Sequence, residues 1–198
     1  YSHLTYRRCK WADVPPLVRV CVWCDPAVPN TDDSDCHGMQ ADGVSAEGTI
    51  YRLFSWEQRT TPQDVLCRAI LKGLELGAQI IGVETDQGGD TWQSVFNEAW
   101  RALTGDEDAP PLLQQHRAAY RALNEAHRAR QREAGVAAPR DLDCPAFRSA
   151  KAGQGHGGKI ERGSKMLADY ERGRIVHVEG THIVLERALK RFPKAKPF

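Results

Sequence analysis

The chain has 198 residues, 41% hydrophobic and 27% charged, which is the length of one domain with enough apolar material for a substantial core. That composition excludes a disordered chain, and no apolar run approaches the roughly 20 residues that a membrane-spanning helix needs. The net charge of +1 hides a division: residues 1–110 hold 9 Lys and Arg against 17 Asp and Glu, and residues 111–198 hold 18 against 9, so a half suited to cations adjoins a half suited to phosphates.

Residues 1–16 are polar and broken by prolines, and are expected to be the remnant of a linker, leaving one folded domain over 17–198. Residues 16–30, "PLVRVCVWCDPAVPN", read as a central strand ending at Asp25-Pro26, followed by the acidic turn "TDDSD". Residues 36–58 read as two strands joined by a turn at "SAEG", which makes an antiparallel meander of three. The period then changes. Thr61 suits an N-cap, Pro62 the first helical position and Gly77 the stop of a helix with Leu66, Ile70 and Leu74 on one face. "QIIGVE" is a short strand, and a right-handed crossover places it beside the first. The pair Gly88-Gly89 follows, where the backbone could come close to a ligand, and then the helix "TWQSVFNEAWRAL".

An insertion is expected at about 105–158: a long arginine-rich helix ending at Gly135, whose thin apolar stripe suggests an arm projecting from the core, then an irregular stretch. "ERGSKMLADYERG" reads as helix, "RIVHVEG" as strand and "THIVLERALKRF" as an amphipathic helix capped by Thr181. The six cysteines form no regular framework. "CVWC" has metal-ligand spacing, but on a strand side chains three apart point to opposite faces, so small buried hydrophobes in a reducing compartment are expected. "GQGHGGKI" begins like a phosphate loop, yet Ile160 stands where a hydroxyl should bind magnesium and "AFRSAKA" before it does not read as a buried strand; a glycine loop carrying Lys159 towards phosphate fits better. The histidines are scattered with no nucleophile elbow, and His177 is expected to pack inside its strand.

Two acids stand out because they end apolar runs, where an unpaired carboxylate is costly to bury: Asp25 closes the first strand and Glu84 the fourth. If the crossover makes those strands neighbours, both carboxylates reach one edge of the sheet, where a divalent cation such as Mg²⁺ or Mn²⁺ relieves their repulsion and also binds phosphate. The alternative is that each acid merely meets water at the end of its strand.

The ordered set "DPA", "DSDCHGM", "GTIYRLFSWEQRTTPQD" and "IIGVETDQGGD", with "GGKIERGSKMLADYERGRIVHVEG" and "LERALKRFP" later, resembles the C-terminal nuclease domain of tailed-phage large terminase subunits, within the ribonuclease H-like superfamily. The likeness covers most of the chain outside 105–150. It implies an α/β, ribonuclease H-like fold: a central mixed sheet, made of a three-strand antiparallel meander plus parallel strands, flanked by helices. It also implies a two-ion Mg²⁺ or Mn²⁺ site with Asp25 as first acid and Glu84 as second, and Asp35 as an auxiliary acid with Asp33 as its competitor. The third acid would lie beyond Phe198, with Asp169 a poorer substitute. Lys159, Arg162, Lys165, Arg172 and Arg174 are candidates for phosphate contacts.

The implied activity is endonucleolytic cleavage of double-stranded viral DNA during genome packaging, in the cytoplasm of an infected bacterial host. The implied partners are a motor ATPase domain in cis, absent from this sequence, together with portal and small terminase; the isolated domain is expected to be monomeric, and no membrane is involved. Two other readings stay open: a Holliday-junction resolvase-like nuclease, which would cut as a dimer, and a non-catalytic DNA-binding module with salt-sensitive affinity.

Overall fold

The computed structural model describes residues 4–26, 36–85, 91–105, 110–151 and 159–191. In chain order these form β1 (Arg7–Cys9), β2 (Leu17–Asp25), β3 (His37–Ser45), β4 (Ile50–Gln58), α1 (Pro62–Leu76), β5 (Ile80–Glu84) and α2 (Thr91–Thr104). They continue with α3 (Pro111–Glu133), β6 (Ala146–Ala150), α4 (Lys159–Glu171), β7 (Ile175–Val178) and α5 (Ile183–Arg191). None of these helices is long and apolar enough to cross a membrane.

Side-chain alternation builds the sheet. In β2, Val20, Val22 and Cys24 are buried on one face, while Cys21, Trp23 and Asp25 turn to the other. β3 and β4 continue β2 as the expected antiparallel meander, through a turn in which the Gly48 N–H donates to the Ser45 carbonyl. The period switch at residue 60 then starts α1. The Thr61 hydroxyl accepts from the Asp64 N–H at 3.2 Å, Pro62 occupies the first turn, and Gly77 ends the helix in the left-handed region at φ 67°. This crossover lays β5 parallel to β2, in register from Cys21 opposite Ile80 to Cys24 opposite Val83. The seven strands lie in the order β1-β7-β4-β3-β2-β5-β6.

One face is packed by α1, α2 and α3. Val22, Leu66, Ile70, Ile81 and Val83 are completely buried there, each contributing about 1.5–3 kcal/mol of apolar burial. The other face carries α4 and α5 over β4 and β7, around a smaller cluster of Leu4, Tyr170, Ile175 and Leu189. Beyond them, towards β5 and β6, the face opens to solvent and Trp23 is 39% exposed.

Three expectations are corrected. Residues 7–9, assigned to a linker, form strand β1 alongside β7, and Leu4 is buried. The stretch around "AFRSA" is strand β6, paired with β5 from Ile80 opposite Ala146 to Glu84 opposite Ala150, so the sheet reaches into the supposed insertion. Helix α3 is no free arm: His116 and Tyr120 are buried against α1 and α2, with Tyr120 edge-on to Trp100 at 5.5 Å and His116 Nε2 2.5 Å from Asp64 Oδ1.

Candidate active site on the open sheet face

Parallel strands end together at the same edge, and β2 and β5 are adjacent and parallel. The rung after Cys24 and Val83 is therefore Asp25 and Glu84, with backbones about 4.8 Å apart. Since Val20, Val22 and Cys24 share their buried face with Ile81 and Val83, both acids turn to the opposite face, together with Trp23 and Gly82. Asp25 is exposed and Glu84 half-buried. The strands that end in the two acids are neighbours, as the crossover rule predicts.

The same rung extends across the meander. Asp25 lies opposite Gly38, which lies opposite Glu57, an exposed acid at the end of β4 that sequence reading passed over. Gly38 leaves open the space between them. One pleat repeat back, Trp23, Gly82 and Arg148 form a parallel row: Trp23 opposite Gly82 on β5, and Gly82 opposite Arg148 on β6. Arg148 is exposed and makes no ion pair among the described residues. It was missed because its strand was missed; period-2 reading of "AFRSA", with Phe147 inward, places Arg148 outward.

Trp23 has a fixed seat. A Cβ at position 82 would lie 2.2 Å from its Cε3 and 2.4 Å from its Cζ3, so the edge of the indole occupies space that any other side chain would fill. Between Trp23 and α5 runs a cleft of about 450 Å³, lined by Asp25, Gln40, Ser55, Glu57 and Thr181 and by Val184, Leu185 and Ala188 of α5. Among its lining residues there is no Lys or Arg.

A buried polar network holds the α5 wall. Thr181 was expected as a cap; its hydroxyl accepts from the Ser55 N–H at 2.9 Å. Ser55 Oγ lies 2.8 Å from His182 Nδ1. His177 is buried as expected, but as a hub: Nδ1 is 2.8 Å from Glu186 Oε1 and Nε2 is 2.8 Å from the Tyr170 hydroxyl, which accepts from Arg52 Nε. Burial pushes the His177 pKa down to about 4 and that of Tyr170 up to about 12. A neutral His177 fits the chain of bonds, donating from Nδ1 to Glu186 and accepting from Tyr170 at Nε2. Burial works to raise Glu186, but hydrogen bonds from Arg8 at 2.6 Å and from His177 prevail and hold its carboxyl below the usual range.

The expected phosphate contacts divide. Arg174 immediately precedes β7, whose Ile175 lies opposite Ile50 at the start of β4, and β4 runs parallel to β2. Arg174 and neighbouring Arg172 therefore sit at the edge of the sheet opposite Asp25 and Glu84, and Arg174 is 3.6 Å from Asp169 there. That placement separates both arginines from the acids and removes Asp169 as a substitute ligand. Lys165 is exposed midway along α4 and lies 3.3 Å from Glu161. Lys159 and Arg162 lie towards the start of α4, nearer the edge that carries the acids. Asp33, Asp35, Gly88, Gly89 and the glycine loop 153–158 lie outside the described residues. Cys21 and Cys24 point to opposite faces of β2.

Five strands in the order β4-β3-β2-β5-β6, with β3 alone running against the others, define the ribonuclease H-like fold. Among solved structures, the chain is similar to the human cytomegalovirus terminase nuclease domain, with 11% identity and a TM-score of 0.49 over 94% of this chain and 80% of that one. It is also similar to the nuclease domain of the large terminase subunit of bacterial virus Sf6 solved with manganese and beta-thujaplicinol (16% identity, TM-score 0.34, 87% and 81% covered). Thermus thermophilus RuvC aligns at 13% identity and TM-score 0.38, over 86% of this chain and 89% of that one. No protein-family model and no curated protein matches the chain.

Proposed function

We propose that the chain is a divalent-metal-dependent endonuclease that hydrolyses phosphodiester bonds of double-stranded DNA by a two-ion mechanism, in the setting of viral genome packaging. One observation carries the reading: Asp25 and Glu84 stand on one rung of neighbouring parallel strands, on one face, at an open edge of the sheet. Their donor chemistry suits Mg²⁺ or Mn²⁺. Magnesium takes one or two carboxylates and completes its octahedron with water and phosphate oxygens, and no group of three or more His, Cys, Asp or Glu side chains able to cage a metal occurs among the described residues. A pair of acids suits an ion shared with substrate.

Asp25 would hold both ions and Glu84 one of them; when bound, they acidify water and stabilise charge on the oxygens of an in-line displacement. Hydrolysis adds water across the P–O3′ bond, leaving a 5′ phosphate and a 3′ hydroxyl. Arg148 would meet a phosphate beside the acid pair, and the row of Trp23 and Gly82 would set how closely the strand approaches. A motor domain in cis, portal and small terminase are the partners that this setting would supply. Supercoiled plasmid incubated with Mn²⁺ should be nicked and linearised by the chain, but not by Asp25→Asn or Glu84→Gln. Equal nicking by all three proteins would remove the assignment.

A further inference from the structure

We infer that the cleft between Trp23 and α5 is a pocket for one unstacked nucleobase of the substrate strand, so that the chain acts where a base beside the cut is unpaired or drawn out of the helix. The inference rests on the nuclease reading and adds the form of DNA that the site accepts. Four features converge on it.

First, Asp25 lines this same cleft, so whatever occupies it adjoins the acid pair. Asp25 and Trp23 are two residues apart on one face of β2, a separation of about 6.6 Å along the strand, which a nucleotide spans between its phosphate and its own base. Second, the charge is wrong for a phosphate. The lining residues include Asp25 and Glu57 and no cation, so the group that enters is not the phosphate, which is met across Gly82 by Arg148. Third, the indole is preorganised. Its Cε3–Cζ3 edge is seated in the space over Gly82 while 39% of the residue stays exposed, which makes it a stacking platform that loses little entropy on binding. Fourth, the facing wall of Val184, Leu185 and Ala188 is apolar, and half-buried Gln40 adds a polar group to the lining. A space of about 450 Å³ takes a single nucleotide and not a duplex. Drawing a base from the stack costs a few kcal/mol, least where it is already unpaired, so the pocket selects for bulged, mismatched or melted positions.

The experiment uses the full chain and three otherwise identical duplexes: fully paired, with a single 2-aminopurine bulge, and with an abasic bulge. Binding is measured in Ca²⁺ by anisotropy and by 2-aminopurine fluorescence, and cleavage separately in Mn²⁺. The 2-aminopurine bulge should bind at least about 5-fold more tightly than the abasic one, the low end of base–aromatic stacking, and its fluorescence should be quenched. Trp23→Ala and Val184→Glu should each abolish that advantage, and Trp23→Phe should keep part of it. Val184 is 50% exposed on the surface of α5, so its substitution tests the pocket even if Trp23→Ala folds poorly. Equal affinity for the base and abasic bulges, or an advantage that survives in Val184→Glu, overturns the pocket. Cleavage without a base advantage sinks the pocket and leaves the nuclease reading; a base advantage without cleavage does the reverse.

Discussion

Replacing Gly82 by alanine would set a methyl group against the Cε3–Cζ3 edge of the Trp23 ring. The new carbon would lie 2.2 Å from Cε3 and 2.4 Å from Cζ3, against an ordinary carbon–carbon contact of about 3.5 Å, so the indole must lift by about 1.3 Å. Overpacking of this kind costs about 1–3 kcal/mol. Because Trp23 is 39% exposed, the ring can move outward, which favours the lower half of that range. At roughly 2–4 °C per kcal/mol for a domain of this size, Tm should fall by about 2–8 °C. In a Trp23→Ala background the clash is gone, and the same substitution removes a flexible glycine from a strand, stabilising by about 0.5–1 kcal/mol. The sign of the Gly82→Ala effect should therefore reverse between backgrounds in a double-mutant cycle read by thermal and urea unfolding. A loss of the same size in both backgrounds would mean that Trp23 does not rest on Gly82, and the rigid platform would go with it.

The remaining expectations concern the two ends of the sheet and its buried ion pairs. Arg148→Ala should weaken duplex binding and lower the slope of log affinity against log salt by about 1, whereas Arg174→Ala, at the far edge, should leave the slope unchanged; equal effects would put the DNA elsewhere. His116→Ala takes from buried Asp64 one of its partners while Arg68 and Thr60 remain, so a loss of about 1–3 kcal/mol is expected in urea unfolding, with the amides of α3 exchanging faster. Folding also couples to acid. His177 binds its proton at about pH 4 in the folded state but near 6.5 when unfolded, so the unfolded chain gains protons first and stability falls as pH drops from 6.5 to 4. Burial lowers His182 in the same direction, and the depressed Glu186 adds a further loss below its unfolded pKa of 4.5. His177→Gln should flatten the pH 4–6.5 limb of a Tm-versus-pH curve only in part, since His182 remains; an unaltered limb would contradict the assignment.

Elements that bury a periodic apolar face could be read from the residues. Val20, Val22 and Cys24 announce β2 by alternation, and Thr61-Pro62 with Gly77 brackets α1, because caps and periods are local chemistry. The acid pair could be read for a related reason: a carboxylate ending an apolar run is conspicuous, and the crossover rule brings two such ends together. Strands β1 and β6 could not. "RRC" and "AFRSA" are edge pieces with little to bury, held by backbone bonds to β7 and β5 that leave no trace in their composition. Arg148 was lost with β6. The hub around His177 was equally hidden: Arg52 and Tyr170 meet across 118 positions of chain, and no short window shows that a strand histidine, a helix tyrosine and a helix glutamate will converge.

Strand β1 ties the first residues of the sheet to the helix that walls the cleft. Arg8 reaches Glu186, and Tyr6 stacks on His177 with ring centres 4.8 Å apart. Removing the residues ahead of Leu17 would therefore take from α5 the cation that pairs with Glu186 and from His177 the ring stacked on it, so the seating of the cleft wall depends on a segment far from it in the chain.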